Sequence, residues 1–331
     1  MIKRILNLVP DPFLFGLAAA AALGTLLPCS GAAETAFKVL LFIAIAVMFF
    51  MQGVKLSRAA VIAGMTHWRV HIAILACTFV LYPVLGLVLR AIAGPLLPEQ
   101  LWMGVIFLCL LPSTVQSSIA YVSIARGNVA AAVCAATASN LLGIFITPVL
   151  AALLLHTEGG GPSLSEAWKI GANILAPFVL GQILQPHLAA WASKNKSLLN
   201  LSDRGAILLA VYIAFSAAAL QGVWSAIPPQ SMAWLLGLEA LMLAAMLLVA
   251  FYGARALSFA KEDEIAILFC GSKKSLATGA PMASVLFPAA TLSVVVIPLV
   301  IFHQIQLVTA AFIARRYARR AAGVDADESA A

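Results

Sequence analysis

Phe269-Cys270-Gly271-Ser272-Lys273-Lys274-Ser275-Leu276 lies in the middle of an apolar run that extends over about 264 to 287. An ammonium at the centre of a bilayer costs at least about 2.5 kcal/mol on insertion scales, and two adjacent lysines cannot both snorkel to an interface. At least one of the pair is expected to have a function, the alternative being that both stand at the end of a helix whose bounds differ from those of the run. A buried ammonium either neutralises and carries a proton or stays charged and attracts an anion, and the sequence leaves both open.

The rest of the chain says that the run does cross a membrane. Of 331 residues, 63% are hydrophobic and 10% charged, with a mean hydropathy of +1.03, whereas a soluble domain is about half apolar and a quarter charged. Apolar runs fall at about 13–28, 36–54, 70–93, 101–123 and 128–156, then at 166–188, 205–224, 231–254, 264–287 and 289–313. The chain is long enough for about ten spans of roughly 20 residues plus short connections, so the expected fold is all-α and polytopic with ten transmembrane helices. Lys3 and Arg4 before an apolar run could open a signal peptide, but Pro10, Asp11 and Pro12 separate them from it. The segment is kept as span one.

The formal net charge of +7 comes from basic residues in short stretches between the runs, which signals membrane orientation and not nucleic acid. Fifteen lysines and arginines collect on one side, among them Lys55, Arg126, Lys196, Arg204, Arg255 and Arg315; only Lys38, Arg90 and Lys169 fall on the other. Both termini are therefore expected in the cytoplasm, in a cell (inner) membrane protein. Five spans per half make the second half inverted, with repeats over 1–157 and 158–331 divided near Glu158-Gly159-Gly160-Gly161-Pro162, and a basic cytoplasmic tail over 314–331. Four of the five cysteines lie inside apolar runs, and no disulfide or zinc spacing follows.

What recurs between the halves is an interruption. Span four carries Pro112-Ser113-Thr114-Val115-Gln116-Ser117-Ser118, span nine carries the lysine pair, and the fifth span of each half has a proline after a β-branched residue, at Thr147-Pro148 and Ile297-Pro298. Matched interruptions in two halves point to a transporter binding site. Proline frees backbone carbonyls, which with Ser113, Gln116, Ser117 and Ser118 would bind a solute or ion; the plainer reading is a kink whose hydroxyls bond back to the helix. In span nine, Ser272 and Ser275 flank Lys273 and Lys274, and Thr278 follows. Glu239, well inside span eight, would carry a coupling proton, pair with a lysine, or sit protonated near an interface. His303 and Asn140 are candidate binding residues, or else helix-packing hydrogen bonders; Gln182, Gln185, Gln304, Gln306, Thr137 and Ser139 are further polar residues near spans. No protease, hydrolase or phosphate-loop motif is present, so no enzymatic activity, cofactor or metal site is expected.

Several segments together resemble the bile acid:sodium symporter family, its bacterial branch in particular, and are similar to the orphan seventh vertebrate member. They are Asp11-Pro12-Phe13-Leu14, Phe49-Phe50-Met51-Gln52-Gly53-Val54-Lys55-Leu56-Ser57, Tyr82-Pro83, Pro112 with Ser117, Asn140 to Pro148, the Phe269–Leu276 stretch, and Pro298 to His303. The resemblance implies ten helices in two inverted five-helix repeats. A panel would comprise spans one, two, six and seven, a core the rest, and the broken spans four and nine would cross within the core.

It also implies positions for sodium ligands, and there the chain departs. A span-four Ser-Asn falls on Ser117 and Ser118, span-five hydroxyls fall near Ala132 and Ala136, and a span-three Gln falls on Thr78. A span-nine Glu falls near Phe269 and a Gln-Asn on Lys273 and Lys274, so an anionic cation site becomes a cationic one. The expectation is a secondary active transporter of a small anionic organic solute with altered sodium sites. Lys273 or Lys274 would attract the anion, and Lys273, Lys274 or Glu239 would carry a proton if H+ and not Na+ is the coupling ion. The alternative is a non-transporting membrane regulator of ion (calcium) homeostasis.

Overall fold

A computed structural model describes residues 13–55, 67–155, 164–222 and 227–330. Lys3, Arg4, Asp11, Pro12, Leu56, Ser57, Arg58 and the Glu158–Pro162 stretch lie outside the described residues, as does the expected boundary at 157/158. The side chains of Lys169 and Arg320 do too.

The described chain is helical, without strands. It begins with α1 (Phe13–Leu26) and α2 (Ala32–Lys55); α3 (Trp68–Ala76) then runs through a π-helical turn at Cys77–Leu81 into α4 (Tyr82–Ala93). Span four is two helices, α5 (Glu99–Leu110) and α6 (Gln116–Ile124), followed by α7 (Val129–Leu154). Next come α8 (Leu164–Lys194), α9 (Lys196–Leu220) and α10 (Pro229–Ala256). Span nine is again two helices, α11 (Lys261–Gly271) and α12 (Leu276–Leu286), and α13 (Ala289–Ala330) closes the chain.

Among the described residues, six stretches are long and apolar enough to cross a membrane unbroken, and α1 and α5 are shorter apolar helices. Leu26, Phe42, Ile92, Ile183 and Phe312 stand exposed, as lipid-facing side chains must. Pro148 and Pro298 sit inside the continuous helices α7 and α13, so the recurrent prolines break neither. Two boundaries move outward. The helix α9 starts at Lys196, not near 205, which puts Asn200, Asp203 and Arg204 on a helix wall, and α13 runs well past 313.

The helices α1, α2, α8 and α9 pack on one another. At the α2–α8 contact the side chains vanish: a Cβ on Gly53 would strike the Phe178 carbonyl, and one on Gly181 the Phe50 carbonyl. Backbone meets backbone there, and Gln182 donates across the seam to the Gly53 carbonyl. The second group centres on α5 against α13, α10 against α11, and α11 against α3, α6 and α7. Among its largest fully buried side chains are Tyr82, Phe269, Lys273 and Lys274. Two lysines are thus buried within a helical core.

Candidate functional site at the crossing of the two breaks

The two interruptions meet. The backbone N–H of Ser275 donates to the Pro112 carbonyl at 2.9 Å, so break one (111–115) lies against break two (272–275). Unwound backbone at this depth must have every polar group satisfied from within, and the partners can be traced one by one.

Pro112 has no N–H and ends the α5 ladder, which frees the carbonyls before it. Thr147 Oγ1 donates to Leu110 O at 2.8 Å, and Asn140 Nδ2 donates to Ser113 O at 2.7 Å. The Ser113 N–H donates to Ser139 Oγ at 3.0 Å. On the other break, Ser113 Oγ donates to Cys270 O at 2.5 Å, Ser118 Oγ to Phe269 O at 3.1 Å, and Ser272 Oγ to Leu268 O at 2.6 Å. Tyr82 OH donates to Ser272 O at 2.5 Å, and Gln306 grips the backbone of Lys274 at both its N–H and its C=O, at 2.9 and 2.8 Å. Ser275 caps α12 by accepting from the Thr278 N–H, and Thr278 Oγ1 donates to Asn140 Oδ1 at 2.6 Å. Asn140 thereby ties both breaks together.

The lysines fill what remains. Lys274 Nζ donates to the carbonyls of Thr78, Cys109 and Leu111, each at 2.7 Å, and lies 4.3 Å from the centre of the Tyr82 ring. Lys273 Nζ donates to Ser117 Oγ at 3.3 Å and lies 4.0 Å from the Tyr121 ring, within cation–π range. Each lysine is 1% exposed.

In front of the crossing is a cavity of about 1040 Å³. Its inner wall is the first turns of α6 and α12, with Val115, Gln116, Ser117, Ser275, Ala277 and Thr278, flanked by Asn140 and His303. Its opposite wall is Met48, Gln52, Phe178 and Gln185, and its rim carries Lys55, Lys196, Asp203 and Arg204. Lys55 pairs with Asp203 at 2.7 Å, and Gln116 reaches over to Asn200 at 3.0 Å. Two helix N-termini turned toward one space put positive partial charge on its inner wall, where no charged side chain lines it among the described residues.

The sequence candidates thus divide. Gln116, Ser117, Asn140, Ser275 and His303 line the cavity. Ser113, Ser118, Ser272, Lys273 and Lys274 lie behind it in the crossing, and Thr78 takes part through its main-chain carbonyl while its hydroxyl bonds back to Ile74 O. Glu239 is fully buried away from the cavity, and neither carboxyl oxygen has a hydrogen-bond partner among the described residues. Tyr82, Ser139, Thr147 and Gln306 complete the crossing although the sequence marks them only as motif or span residues. Each is one hydroxyl or amide in an apolar helix, a pattern common to any packed membrane helix.

The profile of the SBF-like CPA transporter family matches residues 11–319. The chain is 51% identical over 313 residues to the uncharacterized protein PA2026 of Pseudomonas aeruginosa, covering 94% of each chain. It is 45% identical over 318 residues to the "Putative symporter YfeH" of Escherichia coli, covering 96% of each. It is also 28% identical over 269 residues to sodium/bile acid cotransporter 7 of Mus musculus, covering 80% of this chain and 79% of that one.

Proposed function

The chain belongs to the SBF-like CPA transporter family, and from that premise we propose that it is a secondary active transporter of a small anionic organic solute, working by alternating access. The observation that carries this reading is the cavity of about 1040 Å³ walled by the N-termini of α6 and α12. N–H groups left over in a first turn bind anions, and broken helices use this in transporters. Main-chain N–H groups at the starts of α6 and α12 supply hydrogen bonds to a carboxylate or similar head, Ser117, Ser275, Thr278 and Asn140 hold that backbone in place through their own bonds, and Met48 and Phe178 on the opposite wall take the organic body. Arg204 and Lys196 at the rim steer anions in. Lys273 acts from behind through Ser117, adding positive field without touching the solute.

In this proposal the ten spans form two inverted repeats in the inner membrane with both termini cytoplasmic, the basic rim of the cavity facing the cytoplasm. The group of α1, α2, α8 and α9 is the panel against which the crossing moves. Sodium is not the coupling ion, since lysines occupy the crossing. A proton on Glu239 takes that part, supported by its buried carboxyl, which has no hydrogen-bond partner among the described residues.

The test is uptake of a panel of radiolabelled organic anions into liposomes holding the purified protein. Uptake is expected to be the same in sodium and in choline, and to fall about tenfold in Lys273→Met, the loss of about 1.4 kcal/mol of binding. Uptake that is strictly sodium-dependent and unchanged in the lysine variants overturns the reading.

A further inference from the structure

We infer that the Lys274 ammonium is a built-in structural cation, held in a carbonyl cage that accepts a free ammonium-type monovalent cation once the side chain is removed. The cage has three oxygens and no acid. The carbonyl of Cys109 belongs to the last turn of α5, where the helix presents its negative pole, and that of Leu111 to the extended residue that follows the helix. That of Thr78 comes from the π-helical turn, whose widened ladder turns a carbonyl out of register. All three approach Nζ at 2.7 Å, the distance of a charge-assisted N–H···O bond. The Tyr82 ring closes a fourth side at 4.3 Å.

The count of hydrogens sets the species. A neutral amine has two N–H groups and a lone pair, which would point at the third oxygen; only the ammonium has a donor for each acceptor. No acidic side chain forms an ion pair with Lys274 among the described residues, so the charge is balanced by backbone dipoles and one ring. The neighbouring carbonyls have their own donors: Leu110 takes Thr147, Pro112 takes the Ser275 N–H, and Ser113 takes Asn140. Among the described residues, the Lys274 ammonium is the side-chain donor that serves all three cage oxygens, and removing it takes that donor from buried carbonyls. Gln306, clamped on both backbone groups of Lys274, fixes the root of the side chain so that the tip reaches the cage.

The cage is a property of the folded state, whatever solute is transported. The experiment is thermal unfolding of the purified protein in detergent, comparing wild type, Lys274→Ala and Lys274→Met in ammonium chloride and in choline chloride at equal ionic strength. In choline both variants are expected to melt roughly 5–10 °C below wild type, as for breaking a buried charged contact. Ammonium, small enough for the space left by the lysine, should raise the Lys274→Ala midpoint by roughly 2–4 °C. It should leave wild type unmoved, and also Lys274→Met, whose methyl fills the cage. If Lys274→Ala yields no folded protein in choline, recovery of a monodisperse species by extraction in ammonium chloride alone supports the cage. Failure in both salts, an equal response to both, or wild-type stability of Lys274→Met overturns it.

Discussion

Glu239 has two buried oxygens and no donor for either among the described residues, whereas Lys274 has three donors and three acceptors. A carboxyl in that setting without a structural partner weakens the fold, and in the proposed function it carries the coupling proton. Glu239→Leu is expected to raise stability by about 1–3 kcal/mol in thermal unfolding and to abolish the pH dependence of uptake. Glu239→Gln should also flatten the pH profile while changing stability little. Destabilisation by Glu239→Leu, or an unaltered pH profile in both, would give the residue a packing role instead. The sequence could flag Lys273, Lys274 and Glu239, because a charge in an apolar run is conspicuous. It could not flag the cage, whose oxygens belong to the backbone of Thr78, Cys109 and Leu111; main-chain carbonyls look alike at every position.

At the level of elements, both breaks were legible. Pro112 and the Gly271–Ser275 stretch cannot continue an apolar helix, and α5/α6 and α11/α12 separate there. Pro148 and Pro298 were equally visible but leave α7 and α13 continuous. The close seam of α2 with α8 was invisible, since Gly53 and Gly181 matter only for what faces them. Gly181→Ala should drive a methyl into the Phe50 carbonyl and cost about 1–3 kcal/mol by thermal unfolding. Gly237→Ala in α10 is the control: nothing lies within 4 Å of its added Cβ, and helix propensity alone favours the change by up to about 1 kcal/mol. Equal effects from the two would refute a backbone-to-backbone seam.

At the scale of the molecule, the described conformation has its cavity at the end marked by Lys55, Lys196 and Arg204. Alternating access requires that Gln116, exposed in the cavity, be reached from one side at a time. Gln116→Cys, with wild type as the baseline for the native thiols, should react with a membrane-impermeant maleimide from the cytoplasmic side, and more slowly when a transported anion is present. Equal labelling from both sides, or none, would contradict a single gated cavity. The amino-acid order by itself determined that the chain is a bundle of apolar helices, that two of them break, and that the breaks carry hydroxyls in one case and lysines in the other. Those features follow from local energetics: apolar length, proline without an N–H, and the cost of charge in hydrocarbon. Only the tertiary structure decided that the lysines sit behind the cavity wall and not on it. That outcome depends on which carbonyls two breaks, a π turn and the end of α5 bring to one ammonium, a sum over contacts distant in the chain that no single stretch encodes.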